Sequence, residues 1–186
     1  MSSWTESFKY ASYEERAKFL LSYLKMRPKP FDKKKPLSRG YKSVLAFIVA
    51  SLCLRSKFRY ISDGAKAQLK GISNPNYNYM YNKKAHPEYK KLTSEHPIPV
   101  SVIVDYLLDP NNDGWTEKSL ADFLEKVSGI AVVTKNENKQ LNNADLRSKL
   151  PAGTTLADIV NGKAKHTIRY KVAGFSVTEM KDGATA

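Results

Sequence analysis

Residues 44–54 read VLAFIVASLCL, an apolar run long enough to decide between two folds. Such a run fits either a strand buried on both faces or a buried helix. Its length and the alanines Ala46 and Ala50 favour the helix. It is too short to span a bilayer and lies too far from the start for a signal peptide. Cys53 falls inside it and reads as a small buried hydrophobe without a redox role. As the only cysteine, it excludes a disulfide framework and a thiolate zinc site.

Upstream, Ser12 and Glu15 form a capping-box pattern, and Ala17, Leu20, Leu21 and Leu24 share one helical stripe, with Tyr13 a turn earlier. The pattern predicts a helix over 13–26, stopped by Pro28 and Pro30. Residues 27–42, RPKPFDKKKPLSRGYK, read as a basic connector whose prolines keep it extended or turned. Downstream, Arg55, Lys57 and Arg59 alternate with Ser56, Phe58 and Tyr60, the period of a strand near 57–61 with one cationic face. Asp63-Gly64 reads as a turn, followed by a short helix over 65–70 that Gly71 ends.

The second half is punctuated differently. Helical spacing recurs over 99–108 and again from Thr116, an expected N-cap, through Leu120, Phe123, Leu124 and Val127. Gly129 is expected to close that helix in the left-handed conformation. Residues 130–133 read as a strand. Thr134 with Glu137 caps a helix over 135–142, 145–150 reads as another helical turn, and 155–160 as a short helix closed by Gly162. Residues 167–177 read as a terminal strand or hairpin bent at Gly174. The expectation is one α+β domain, helix-dominated, with a few short strands forming a small sheet. It divides into a basic portion over 1–93, a near-neutral scaffold over 94–178 and a disordered tail over 179–186.

Charge supplies the functional signal. Residues 1–93 carry 20 basic and 6 acidic side chains, while 94–186 carry 11 and 12. The whole excess of +13 therefore lies in the first half. Like charges at that density repel, and a polyanion relieves the repulsion, with nucleic acid the leading candidate. An anionic membrane surface or a merely solvated face are the alternatives. The candidate phosphate contacts are Arg27, Lys29, Lys33, Lys34, Lys35, Arg39, Lys42, Arg55, Lys57 and Arg59. Residues 73–91, SNPNYNYMYNKKAHPEYKK, add Lys83, Lys84, Lys90 and Lys91 around Tyr77, Tyr79 and Tyr81. In an extended chain those three tyrosines point one way, as in a base-stacking platform; the alternative is a structural loop whose tyrosines cap the core.

Catalytic motifs are sparse. No phosphate-binding glycine loop, GxSxG elbow or HExxH pair occurs, so no cofactor or metal is expected. The segment Ser94-Glu95-His96-Pro97-Ile98-Pro99 resembles the acid-His-x-x-Pro strand that opens the HNH nuclease motif. That resemblance implies His96 as general base and Glu95 as a metal ligand. The chain departs from the motif in having Glu before the histidine and in lacking its later Asn and His, since His166 lies far downstream. The structural alternative is a helix start capped by Ser94 or Glu95. Three functions follow as expectations. The first is a cytoplasmic nucleic-acid-binding protein that contacts phosphates without reading sequence. The second is a small metal-dependent nuclease using Glu95 and His96. The third is a phage- or plasmid-type inhibitor of an acidic protein partner, with the C-terminal half as a possible protein-binding face.

Overall fold

A computed structural model of the chain describes residues 11–32, 34–54, 58–70, 84 and 86–180. It is helix-dominated α+β, with eight α-helices and one four-stranded sheet among the described residues. The chain forms two units, one from residues 1–55 and 100–128, the other from 56–99 and 129–186. Each takes segments from both sides of the charge boundary at residue 93.

The first unit is helical. Helix α1 (Tyr13–Lys25) starts at the expected capping box, with the Ser12 hydroxyl accepting from the Glu15 N–H and the Glu15 carboxylate accepting from the Ser12 N–H. The apolar run lies within α2 (Pro36–Leu54) and buries Leu45, Ile48, Val49, Leu52 and Cys53, but unlike the expected buried helix it leaves Val44 and Phe47 exposed. This helix starts earlier than expected, so the end of the basic connector is helical rather than extended. Pro36 occupies its first position, where a missing N–H costs nothing. Helices α1 and α2 are clamped by Tyr23 and Tyr41, whose rings stack at 4.7 Å while each hydroxyl donates to the other's backbone carbonyl. Burial pushes the Tyr41 hydroxyl up to about 12. The buried Arg16 reaches from α1 to the Leu52 carbonyl at 3.3 Å, satisfying an acceptor in the last turn of α2. The inserted segment supplies α4 (Val100–Leu107) and α5 (Glu117–Val127). The stripe Leu120, Phe123, Leu124 and Val127 is buried as predicted, and Tyr106 stacks on Phe123 at 5.3 Å. Gly129 is not the left-handed closer. Ser128 ends α5 in an extended conformation, because the chain runs straight into a strand.

The second unit holds strands β1 (Phe58–Ser62), β2 (Leu92–Glu95), β3 (Ile130–Thr134) and β4 (Val177–Glu179), ordered β2-β3-β1-β4. Strands β1 and β3 run parallel; the outer two pair antiparallel. All five residues of β3 are buried. Alternation sends Val132 into one core with Ile61, Leu92, Tyr89, Ala65 and Leu69, and sends Ala131 and Val133 into another with Tyr60, Leu141, Leu146 and Tyr170. Strand β2 is not marked by alternation in the sequence; only the nuclease resemblance places a strand at Ser94-Glu95.

Four further corrections concern this unit. Asp63-Gly64 is no turn but the start of α3 (Asp63–Gln68), because the Ser62 hydroxyl accepts from the Ala65 N–H. Residues 145–150 form no helix, and Asp145 takes a positive φ of 55° there. The expected terminal hairpin over 167–177 is helix α8 (Ile168–Val172), with only β4 as strand. From this helix Arg169 is buried against Glu95 and the His96 carbonyl, and Tyr170 against Tyr60 and Leu141, partners distant in the sequence. The expected tail begins inside β4. Helices α6 (Lys135–Asn143) and α7 (Leu156–Val160) start at the predicted Thr134/Glu137 box and at Thr155 with Asp158.

Glu137 joins two helix starts. One carboxylate oxygen accepts from the Thr134 N–H at 2.7 Å and from the Ser62 hydroxyl at 2.6 Å. A Cβ added at Gly64 would lie 2.6 Å from the other oxygen. Gly64→Ala should therefore lower stability, despite the gain of up to about 1 kcal/mol that alanine brings inside a helix. In a Glu137→Ala background the same change should become neutral or stabilising. Urea unfolding of the four proteins measures the coupling.

Candidate nucleic-acid interface and the buried Glu95 centre

The cations expected at the interface separate into three groups. Arg27 and Lys42 are engaged within the first unit: Arg27 pairs with Asp113 at 3.1 Å and lies over the Phe31 ring, and Lys42 pairs with Asp105 at 2.6 Å. Lys29, Lys34, Lys35 and Arg39 are exposed on that unit, and Lys84, Lys90 and Lys91 on the other. Lys33, Arg55, Lys57, Tyr77, Tyr79, Tyr81 and Lys83 lie outside the described residues, as does the side chain of Arg59 in β1.

The acids of the insertion change the charge distribution. The first unit carries 14 basic and 10 acidic side chains, a net of +4. The second carries 17 and 8, a net of +9. Most of the excess thus belongs to the unit built around the sheet.

Within that unit, four lysines gather where β2 begins and β3 ends. Leu92 pairs with Thr134, and the Lys135 N–H donates to the Lys91 carbonyl at 2.9 Å. Lys91 and Lys135 are therefore cross-strand neighbours. Lys139 lies one turn beyond Lys135 on the same face of α6, and Lys90 precedes Lys91. All four are exposed, and none forms an ion pair among the described residues. The acids closest to them in sequence are engaged elsewhere, Glu137 with Ser62 and Thr134 and Glu88 with His86. Sequence reasoning named Lys90 and Lys91 but missed Lys135 and Lys139, because they fall in the half whose charges cancel.

Glu95 and His96 sit at the end of β2 in a different environment. One Glu95 oxygen receives the Arg169 guanidinium at 2.8 Å, and the other accepts from the His96 N–H. Arg169 also donates to the His96 carbonyl at 2.8 Å and to the Arg147 carbonyl at 3.3 Å. Its side chain is fully buried. Burial raises the Glu95 carboxyl above the usual range, against the pull of Arg169. Burial, aided by the Arg169 charge, lowers the His96 imidazole to about 4, against a backbone hydrogen bond to Gly129. Neither Ser94 nor Glu95 caps a helix. The Nδ1 of His96, the Nε of Arg169 and the Tyr170 hydroxyl are buried without hydrogen-bond partners among the described residues. No three His, Cys, Asp or Glu among the described residues are placed to hold a metal ion. The arrangement pins α8 to β2 and keeps the imidazole neutral. Arg169 was the missed residue here, because its partner lies 74 positions away in sequence.

No family model, curated protein or solved structure matches the chain.

The buried imidazole sets a pH dependence. With its folded pKa below the unfolded value, the native state binds fewer protons between pH 6.5 and about 4. Stability is complete above that window and falls through it, by up to about 3 kcal/mol. The raised Glu95 carboxyl acts in the opposite direction, so the net fall is smaller. His96→Gln should flatten or reverse the slope between those limits, read from urea midpoints at several pH values.

Proposed function

We propose that the protein is a cytoplasmic nucleic-acid-binding protein that grips the phosphate backbone through its sheet-bearing unit. The observation that carries this reading is the cluster of Lys90, Lys91, Lys135 and Lys139 on neighbouring ends of β2, β3 and α6, with the acids closest to it in sequence engaged elsewhere. Four exposed ammonium groups on a rigid edge suit phosphate contacts, which fix position without carrying sequence information. The net charge of +9 on that unit adds long-range attraction. Among the described residues no helix is long and apolar enough to cross a membrane.

Binding of a labelled random-sequence duplex and of a single strand, followed by fluorescence anisotropy, tests the proposal. Affinity should fall steeply between about 50 and 200 mM salt. Lys91→Ala combined with Lys135→Ala should weaken binding uniformly across sequences and reduce the salt slope by about two. Salt-independent binding by the wild type would defeat the reading, and an unchanged slope in the double variant would remove this cluster from it.

A further inference from the structure

Helix α2 has a second face that the core does not use. Its buried side presents Ser38, Tyr41, Leu45, Ile48, Val49, Leu52 and Cys53. On the opposite side Leu37, Val44 and Phe47 stand 73%, 47% and 56% exposed, three of the five exposed large hydrophobic residues among those described. Their spacing places all three on one stripe of a 3.6-residue helix. Gly40 lies in the same stripe between Leu37 and Phe47, and a Cβ built there meets nothing within 4 Å. At Gly40 the stripe therefore carries no side chain and leaves open space, a gap in the helix face where a side chain from another helix can approach the backbone.

The charges beside the stripe have one sign. Lys34, Lys35 and Arg39 are exposed at the start of α2, and none forms an ion pair among the described residues. The first turn holds no acid, so these cations sit at the positive end of the helix dipole, where they are unfavourable. Asp32 is the only acid between Glu15 and Asp63 in sequence, and its carboxylate accepts from the Lys34 N–H. On the neighbouring α4, Asp105 is held by Lys42.

We infer that this face of α2 docks an acidic amphipathic helix of another protein, seating one large apolar side chain over Gly40 between Leu37, Val44 and Phe47. Carboxylates flanking that side chain meet Lys34, Lys35 and Arg39. A second copy of the chain suits the face less well, because it brings the same cations against each other. A lipid surface makes no use of such a gap. The inference concerns the helical unit and stands apart from phosphate binding by the other.

The test is to pan a displayed library of helical peptides against the full-length protein and to measure the selected peptides by anisotropy. The clones should be acidic, with apolar residues at i, i+3, i+4 and i+7. Phe47→Asp should weaken them roughly tenfold or more, as loss of a central aromatic anchor does. Arg39→Glu should weaken them and favour charge-reversed versions. Gly40→Leu fills the gap while improving helix propensity, so it should abolish binding in a protein whose melting temperature is unchanged or raised. Basic or uncharged clones, or clones indifferent to Phe47→Asp and Gly40→Leu, overturn the inference. It is equally overturned if sedimentation shows a wild-type dimer that Phe47→Asp dissociates. Phosphatidylserine vesicles that bind the wild type and compete with the peptides would also overturn it.

Discussion

Strand β3 has no surface to spare. Its five residues are buried, β2 and β1 occupy its two edges, and separate apolar clusters cover its two faces. A backbone segment so enclosed must find all its hydrogen bonds in its neighbours, which fixes their register. The parallel pairing with β1 brings the ends of both strands together, and helices α3 and α6 start there side by side. The Glu137 carboxylate serves both starts, closing its own capping box and receiving the Ser62 hydroxyl. Gly64 is the residue that leaves room for it.

The same enclosure explains the buried Glu95–Arg169 centre at the other end of the sheet. Glu95 ends β2 opposite Ala131, where burial disfavours its charge. Arg169 compensates from α8, and its own desolvation is met by two backbone carbonyls. A buried pair of this kind adds little net stability but makes alternative placements of α8 costly, because either partner alone would be a buried uncompensated charge. A neutral His96 beside it fits that positioning role. The nuclease resemblance finds its acid and its histidine adjacent, but the acid's oxygens already serve Arg169 and the His96 N–H.

The two units divide the surface chemistry between them. In the helical one, acids of the insertion hold Arg27 and Lys42, leaving cations near the start of α2 and an uncovered apolar stripe. In the sheet-bearing one, cations outnumber acids about two to one and collect at a strand end. The folded chain thus carries two features of different character, exposed cations beside an apolar stripe in one unit and a lysine cluster drawn from both halves of the sequence in the other.

Most local signals were legible where a backbone group is satisfied within a few residues, the Ser62 cap misread as a turn being an exception. The boxes at Ser12 and Thr134, the cap at Thr116, the stripe from Leu120 to Val127, the helix through 44–54 and the β3 segment could all be read from spacing, because caps and periodicity are local physics. The α+β class followed from them. Pairings over long separations were not legible. Nothing near residue 169 announces Glu95, nothing near Ser62 announces Glu137, and nothing in a half with balanced charge marks Lys135 as the neighbour of Lys91. Residues 167–177 show the limit clearly: their pattern suits a strand, yet 168–172 form a helix whose Arg169 and Tyr170 pack against groups far away in the chain. The sequence by itself determined the capped and striped helices at 13–25, 117–127 and 135–143 and how much charge the chain carries. The tertiary structure decided which charges meet, because that depends on strand register and chain return, and neither is written in any local stretch.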